Sequence, residues 1–159
     1  MMKTLKTYNQ LFESYNELEL NLINSFRYDN NFLSHYLIDN GDPSYIFKNY
    51  HVGSTLITFA IEYRDFEKLK LLIDYGGDVN HIDEYGDSYL LKETHHFIAD
   101  LTIISMLIEA NANWNIIEIS TGKDFFEKLD LENKRKIKDK YPEKYQKYLK
   151  NKKAKEFNL

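Results

Sequence analysis

Few residues of this sequence are candidates for catalysis or metal binding, and their spacing does not match that of known sites. The stretch DVNHID holds Asp78, Asn80 and Asp83, and closely spaced oxygen ligands of this kind are typical of a calcium-binding loop. The stretch lacks the loop glycine and the distant bidentate glutamate that calcium geometry requires. The sequence therefore predicts no calcium site here.

The neighbouring histidines are also badly placed for a metal. His95 and His96 are adjacent, so on a helix their side chains diverge by about 100° and cannot chelate one ion. The absence of cysteine removes disulfides, thiolate metal sites and cysteine nucleophiles. There is no glycine-rich phosphate loop and no G-x-S-x-G motif. We therefore expect a protein that is not an enzyme, with no catalytic residue, no metal and no cofactor.

Charge divides the chain into an acidic body and a basic end. Residues 1–131 hold 10 Lys or Arg and 21 Asp or Glu, a net charge of −11, whereas residues 132–159 hold 11 against 4 and carry +7. An acidic body repels nucleic acid and attracts basic partners. No apolar run is long enough to span a bilayer, and the N-terminal residues lack the apolar block of a signal peptide. We expect a soluble protein in the cytoplasm of a bacterium, or of a host cell if it is an effector or a viral protein.

Two interleaved series of residues recur with a period near 35. The first series, in which each leucine precedes an isoleucine and an acidic residue, is Leu37, Leu72 and Leu107. The second series is Gly53, Gly86 and Gly122, spaced 33 and 36 apart. Two registers of one period indicate a repeat protein, in which each unit is one supersecondary element.

Within one period, the residues predict a helix followed by a turn. The apolar positions fall at helical spacing and form one stripe that a single repeat cannot bury alone: Phe66, Leu69, Leu72 and Ile73. Gly76 is predicted to end this helix in the left-handed region, with Gly41 and Asn111 in the same place of the neighbouring copies. Asp78 and Asn80 are expected to hold the loop by bonding nearby amides.

This pattern resembles the ankyrin repeat, a 33-residue unit of a turn and two antiparallel helices. The residues that stand where the T-P-L-H-x-A signature has its conserved positions are Thr55, Leu56, Ile57, Thr58 and Ala60. The third copy has a helix-to-helix turn, THHFIAD, about two residues longer. The resemblance implies an all-α ankyrin-repeat solenoid of stacked helix-turn-helix units. Its parts would be an N-terminal capping helix at residues 1–17, three to four divergent repeats at 18–131 and a basic C-terminal helical cap or tail at 132–159.

The C-terminal segment combines one apolar face with many lysines. The apolar and aromatic residues at steps of three and four are Ile137, Tyr141, Tyr145, Tyr148 and Leu149. Pro142 is expected to begin a second short helix, where its missing N–H is harmless. We favour a cap that shields the last repeat. The alternative is a basic arm for nucleic acid or anionic lipid, which the acidic remainder of the chain disfavours.

In the family that the sequence resembles, turn tips and the exposed face of the first helices bind other proteins. By position, this resemblance implies partner-binding residues around two turns: His51, Ser54, Glu62, Tyr63, Asp83, Glu84, Tyr85, Asp87 and Tyr89. The acidic charge favours an inhibitor or immunity-type protein that blocks a basic partner such as a toxin or nuclease. An effector or adaptor that binds a host protein stays open, as does nucleic-acid or membrane binding through the tail.

Overall fold

The structure is a computed structural model, and it describes residues 17–28, 31–49, 53–95 and 99–157, with side chains to residue 155. The described part is all-α, as predicted: it contains no β-strand and only three isolated β-bridges. The chain divides into two compact units, Met1–Asp78 and Val79–Leu159. The predicted capping helix at residues 1–17 lies outside the described residues except for residue 17.

The described part of the N-terminal unit contains two pairs of successive helices. They are α1 (residues 17–27), α2 (Phe32–Ile38), α3 (Leu56–Glu62) and α4 (Phe66–Asp74). The core takes apolar side chains from all four helices and one from the loop after α2: Leu22, Phe26, Leu33, Leu37, Phe47, Leu56, Phe59, Leu69 and Leu72. Of the predicted stripe on α4, Leu69 and Leu72 are fully buried, whereas Phe66 is exposed.

The described part of the C-terminal unit contains two further pairs of successive helices and a long final helix. They are α5 (Tyr89–His95), α6 (Leu101–Glu109), α7 (Phe125–Lys128), α8 (Leu131–Lys140) and α9 (Pro142–Phe157). The interval between α5 and α6 is five residues, against three between α3 and α4. This difference agrees with the longer turn expected at THHFIAD, of which residues 96–98 lie outside the described chain.

The second helix of three successive pairs ends in the same backbone turn. The residue just past each helix has positive φ: Asn40 (64°), Gly76 (86°) and Asn111 (66°). The amide of the following residue donates to the carbonyl five residues earlier, at 2.8 or 2.9 Å, which satisfies carbonyls that the helix leaves free. The prediction that Gly41 has the left-handed conformation is wrong, because Asn40 adopts it. The first repeat interval at this turn is therefore 36 residues.

Side-chain oxygens begin most of the helices. Thr55 Oγ1 accepts from the Thr58 amide at 3.1 Å and opens α3. Asp65 and Asp100 do the same for the second helices α4 and α6, accepting from amides two or three residues on. Asp124 starts the short α7 with a reciprocal pair of bonds to Glu127. These caps satisfy amides that the first helical turn leaves without partners.

Helix α9 begins at Pro142, as predicted, but it is 16 residues long and packs on the C-terminal unit. Tyr148 is buried, and its ring centroid lies 5.8 Å from that of Trp114 and 5.5 Å from that of Phe126. Its hydroxyl donates to Asp124 at 2.8 Å. Burial raises the pKa of Tyr148, and the bond to Asp124 raises it further. No helix in the described ranges is long and apolar enough to cross a membrane.

Candidate functional site

In the described part of the chain, three hairpins connect the second helix of one pair to the first helix of the next. Each contains one β-bridge: Ile46 with Thr55, Ile82 with Ser88, and Ile117 with Asp124. Each also contains a glycine with positive φ, at Gly53, Gly86 or Gly122, whose amide donates to a carbonyl across the turn at 2.9–3.0 Å. The predicted glycine series therefore marks the hairpin turns.

The residue after each bridging isoleucine fastens its hairpin to the fourth residue of the following helix. In the N-terminal unit this pair is Phe47 and Phe59, with ring centroids 4.8 Å apart. In the hairpin of residues 82–88, Asp83 pairs with Lys92 at 2.9 Å. In the hairpin of residues 117–124, Glu118 accepts a short hydrogen bond from Lys128. We call these three pairs the hairpin tethers.

Asp83 also builds the turn in which it lies. Its carboxylate accepts from the amides of Tyr85 and Asp87 at 2.9 Å each. Partial burial opposes the ionisation of Asp83, but the hydrogen bonds from Lys92 and from the Asp87 and Tyr85 amides outweigh it, so its pKa lies below the ordinary value. This carboxylate is consequently charged and internally paired rather than free to bind a partner.

The carboxylate of Glu118 contacts side chains from three elements of the C-terminal unit. Its carboxylate accepts from Lys128 and Thr121, and it lies 2.7 Å from His95 Nε2. The hydrogen bond from Lys128, followed by that from Thr121, lowers the pKa of Glu118 to about 2. The other ring nitrogen of His95 lies 3.8 Å from Asp87. A network of polar contacts therefore joins the two hairpins of this unit through α5.

Among the described residues, Asp87, His95 and Glu118 form a group that could hold a metal ion, since one ligand atom from each lies within 4.8 Å of the others. The ligand atoms of this group already contact other protein groups. The two ring nitrogens of His95 face different carboxylates, and the ammonium of Lys128 already sits on the Glu118 oxygen. A cation there would have to displace this lysine.

Some of the predicted binding residues are exposed, some are paired with other groups of the protein, and one is buried. Glu84 and Tyr85 are exposed at the tip of one hairpin. Asp87 is half-buried, like Asp83. Tyr89 is only 2% exposed and lies in the core of the C-terminal unit. The expectation that Tyr89 is exposed to a partner is therefore wrong, because it is the first residue of α5 and points into the packed interior.

The earlier turn holds the other predicted residues. Glu62 and Tyr63 are exposed at the end of α3, and the Tyr63 hydroxyl accepts from Arg27 Nε at 3.1 Å. Ser54 is half-buried, and its carbonyl accepts from the Phe47 amide at 2.9 Å. His51 lies outside the described residues.

Sequence reasoning missed a set of exposed isoleucines in the hairpins. The bridging isoleucine is about half exposed in every hairpin: 44% at Ile46, 45% at Ile82 and 48% at Ile117. Ile119 is 82% exposed and lies against Gly86, where a Cβ would come within 2.9 Å of its Cδ1. The spacing of 36 and 35 residues between the bridging isoleucines was a signal that could have identified them.

In the C-terminal unit, the exposed apolar residues of the two hairpins are Ile82, Tyr85, Ile117 and Ile119, and the hairpins meet where Ile119 lies against Gly86. We call these four residues the hairpin surface. Tyr85 is 72% exposed. Exposed apolar groups set among polar ones are the kind of surface that protein interfaces bury.

A scan against protein-family models finds no match to the chain, and a search of curated proteins finds none either.

Proposed function

We propose that this protein is a non-enzymatic protein–protein interaction module that binds its partner through the hairpin surface. The observation that carries the proposal is the recurrence of a half-exposed isoleucine at the same position of each hairpin. A single exposed isoleucine is ordinary, but here the same residue type leaves about half of its surface exposed at one structural position of each hairpin. The likeness of the sequence to ankyrin repeats supports the same proposal.

The proposed partner is a basic protein, and the proposed role is that of an inhibitor or immunity-type protein. Asp83, Asp87 and Glu118 are engaged inside the molecule, so they do not supply direct contacts. The net charge of −11 over residues 1–131 acts at a distance instead, because summed charge raises the association rate of an oppositely charged protein. Binding energy would then come from burial of the isoleucines and Tyr85.

The test compares two double variants with equal loss of exposed apolar surface. Tyr85→Ala with Ile119→Ala removes two hairpin side chains that are 72% and 82% exposed. The matched control, Tyr28→Ala with Leu131→Ala, removes side chains that are 72% and 85% exposed outside the hairpins. Because burial of one large apolar side chain contributes roughly 1.5–3 kcal/mol, we expect the hairpin variant to lose at least about tenfold in affinity.

The assay is capture of partners from the source cells by tagged protein, followed by mass spectrometry and measurement of affinity for the purified partner. Recovery of a basic protein by wild type and by the control variant, but not by the hairpin variant, supports the proposal. Equal recovery by both variants overturns the hairpin surface as the binding site. A partner without basic character overturns the inhibitor role and favours an adaptor.

A further inference from the structure

A cleft of about 220 Å³ lies between α9 and the loop that follows α6, within the C-terminal unit. Its floor includes the buried rings of Trp114 and Tyr148, which pack against each other. Its walls carry amides and amines: Asn111, Asn113, Asn115, Lys144, Lys147 and Asn151. The three wall residues from α9 are spaced by three and four, so they share one face of that helix.

The described lining of the cleft contains basic and amide side chains without acidic ones. No acidic residue is among the described residues that line it, although the chain has 25 acidic and 21 basic residues. The carboxylate bonded to the floor, Asp124, is itself paired with Lys152 at 3.2 Å. The cleft therefore presents positive charge and hydrogen-bond donors, and both of its lysines belong to the basic segment of residues 132–159.

The two lysines of the cleft have different roles. Lys144 donates to the Ile108 carbonyl at the end of α6 and to Asn111 Oδ1, which offsets the negative end of that helix. The ammonium of Lys147 is exposed and has no hydrogen bond or ion pair among the described residues. Lys147 is consequently the group that would meet an anion, while Lys144 prevents the helix end from repelling it.

We propose that this cleft binds a small phosphomonoester, whose phosphate contacts Lys147 and the asparagine amides while its carbon part contacts the few exposed atoms of the floor residues Trp114 and Tyr148. An ammonium and amide N–H groups are suitable donors to phosphate oxygens. The volume lies below the range typical of sites for drug-sized ligands, which favours a phosphorylated sugar over a larger ligand. This site is separate from the hairpin surface, so the two proposals fail independently.

Trp114 makes the test direct, because it is the single tryptophan of the chain and lies in the floor of the cleft. Its fluorescence is followed during titration of the full-length protein with glucose 6-phosphate, and separately with glucose at the same ionic strength. We expect a saturable change with glucose 6-phosphate and none with glucose. The absence of a saturable change overturns the proposal.

Two lysine variants of equal charge locate the binding. Lys147→Gln removes the ammonium from the cleft, whereas Lys123→Gln removes an exposed ammonium from a hairpin. We expect the dissociation constant to rise about tenfold for Lys147→Gln, as for loss of one charge-assisted hydrogen bond, and to stay unchanged for Lys123→Gln. Equal weakening by both variants, or binding of a ten-nucleotide single strand in place of glucose 6-phosphate, would mean a diffuse polyanion surface and overturn the cleft as the site.

Discussion

Replacement of Asp83 by alanine removes the acceptor around which the hairpin of residues 82–88 is built. The carboxylate accepts from the amides of Tyr85 and Asp87 and pairs with Lys92, all at 2.9 Å. Its side chain is 12% exposed, so water does not replace every partner. With roughly 1 kcal/mol of net stabilisation for each hydrogen bond, we expect the free energy of unfolding to fall by about 2–3 kcal/mol.

The adjacent acid provides the matched control. Glu84 is exposed and has no hydrogen bond or ion pair among the described residues, so Glu84→Ala makes the same change in charge without loss of structure. We expect its free energy of unfolding to stay within about 0.5 kcal/mol of wild type. Asp83→Asn retains one carbonyl acceptor and should fall between the two alanine variants.

The assay is urea unfolding followed by the fluorescence of Trp114, which lies in the same unit as Asp83. The expected loss corresponds to a fall of about 4–12 °C in melting temperature. A double-mutant cycle with Lys92→Ala should give a coupling of about 0.5–1 kcal/mol, because this pair is partly exposed. If Asp83→Ala proves as stable as Glu84→Ala, the hairpin does not depend on its tether and the reasoning is refuted.

Three further predictions concern acid, backbone and the C-terminal helix. The hydrogen bond from Lys128 keeps the pKa of Glu118 at about 2, so its stabilisation is complete above the ordinary pKa near 4.5 and is lost as the pH falls towards 2. Glu118→Gln should therefore flatten the acid limb of the urea midpoint plotted against pH. Gly76→Ala should cost about 1–2 kcal/mol in thermal unfolding, because φ is positive there, whereas Asn40→Gly should change stability by less than about 0.5 kcal/mol. Tyr148→Phe removes a hydroxyl that donates to a buried aspartate at 2.8 Å, and urea unfolding should show a loss of about 1–2 kcal/mol.

Helix boundaries were the most predictable part of the fold, because their signals are local. Gly76 and Asn111 end their helices as predicted. In the first repeat the left-handed residue was predicted one position too late, at Gly41. The preceding Asn40 adopts that conformation instead, because asparagine tolerates it. A glycine is the stronger signal in sequence, but the hydrogen-bonded turn placed Asn40 in the left-handed region.

The state of the hairpin acids was not predictable, because their partners lie on other elements. Asp83 is nine residues from Lys92, and Glu118 is 23 residues from His95. In sequence, such acids resemble a solvated surface that is available to a basic partner. Glu19 is a further example: it is fully buried in the N-terminal unit and accepts from the amides of residues 48 and 49, at 2.6 and 2.9 Å.

The three hairpin tethers explain why the repeat is visible in some positions of the sequence and hidden in others. The helix ends and hairpin turns require particular backbone conformations, so glycine and asparagine recur there. The tether requires only attraction between two facing side chains, and an aromatic pair meets that need in one hairpin while ion pairs meet it in the other two. In two hairpins the tether pairs an acidic side chain, Asp83 or Glu118, that would otherwise be available to a partner. If the hairpins bind a protein, direct contact falls to exposed side chains such as the isoleucines, Tyr85 and Glu84, while the summed acidic charge acts before contact is made.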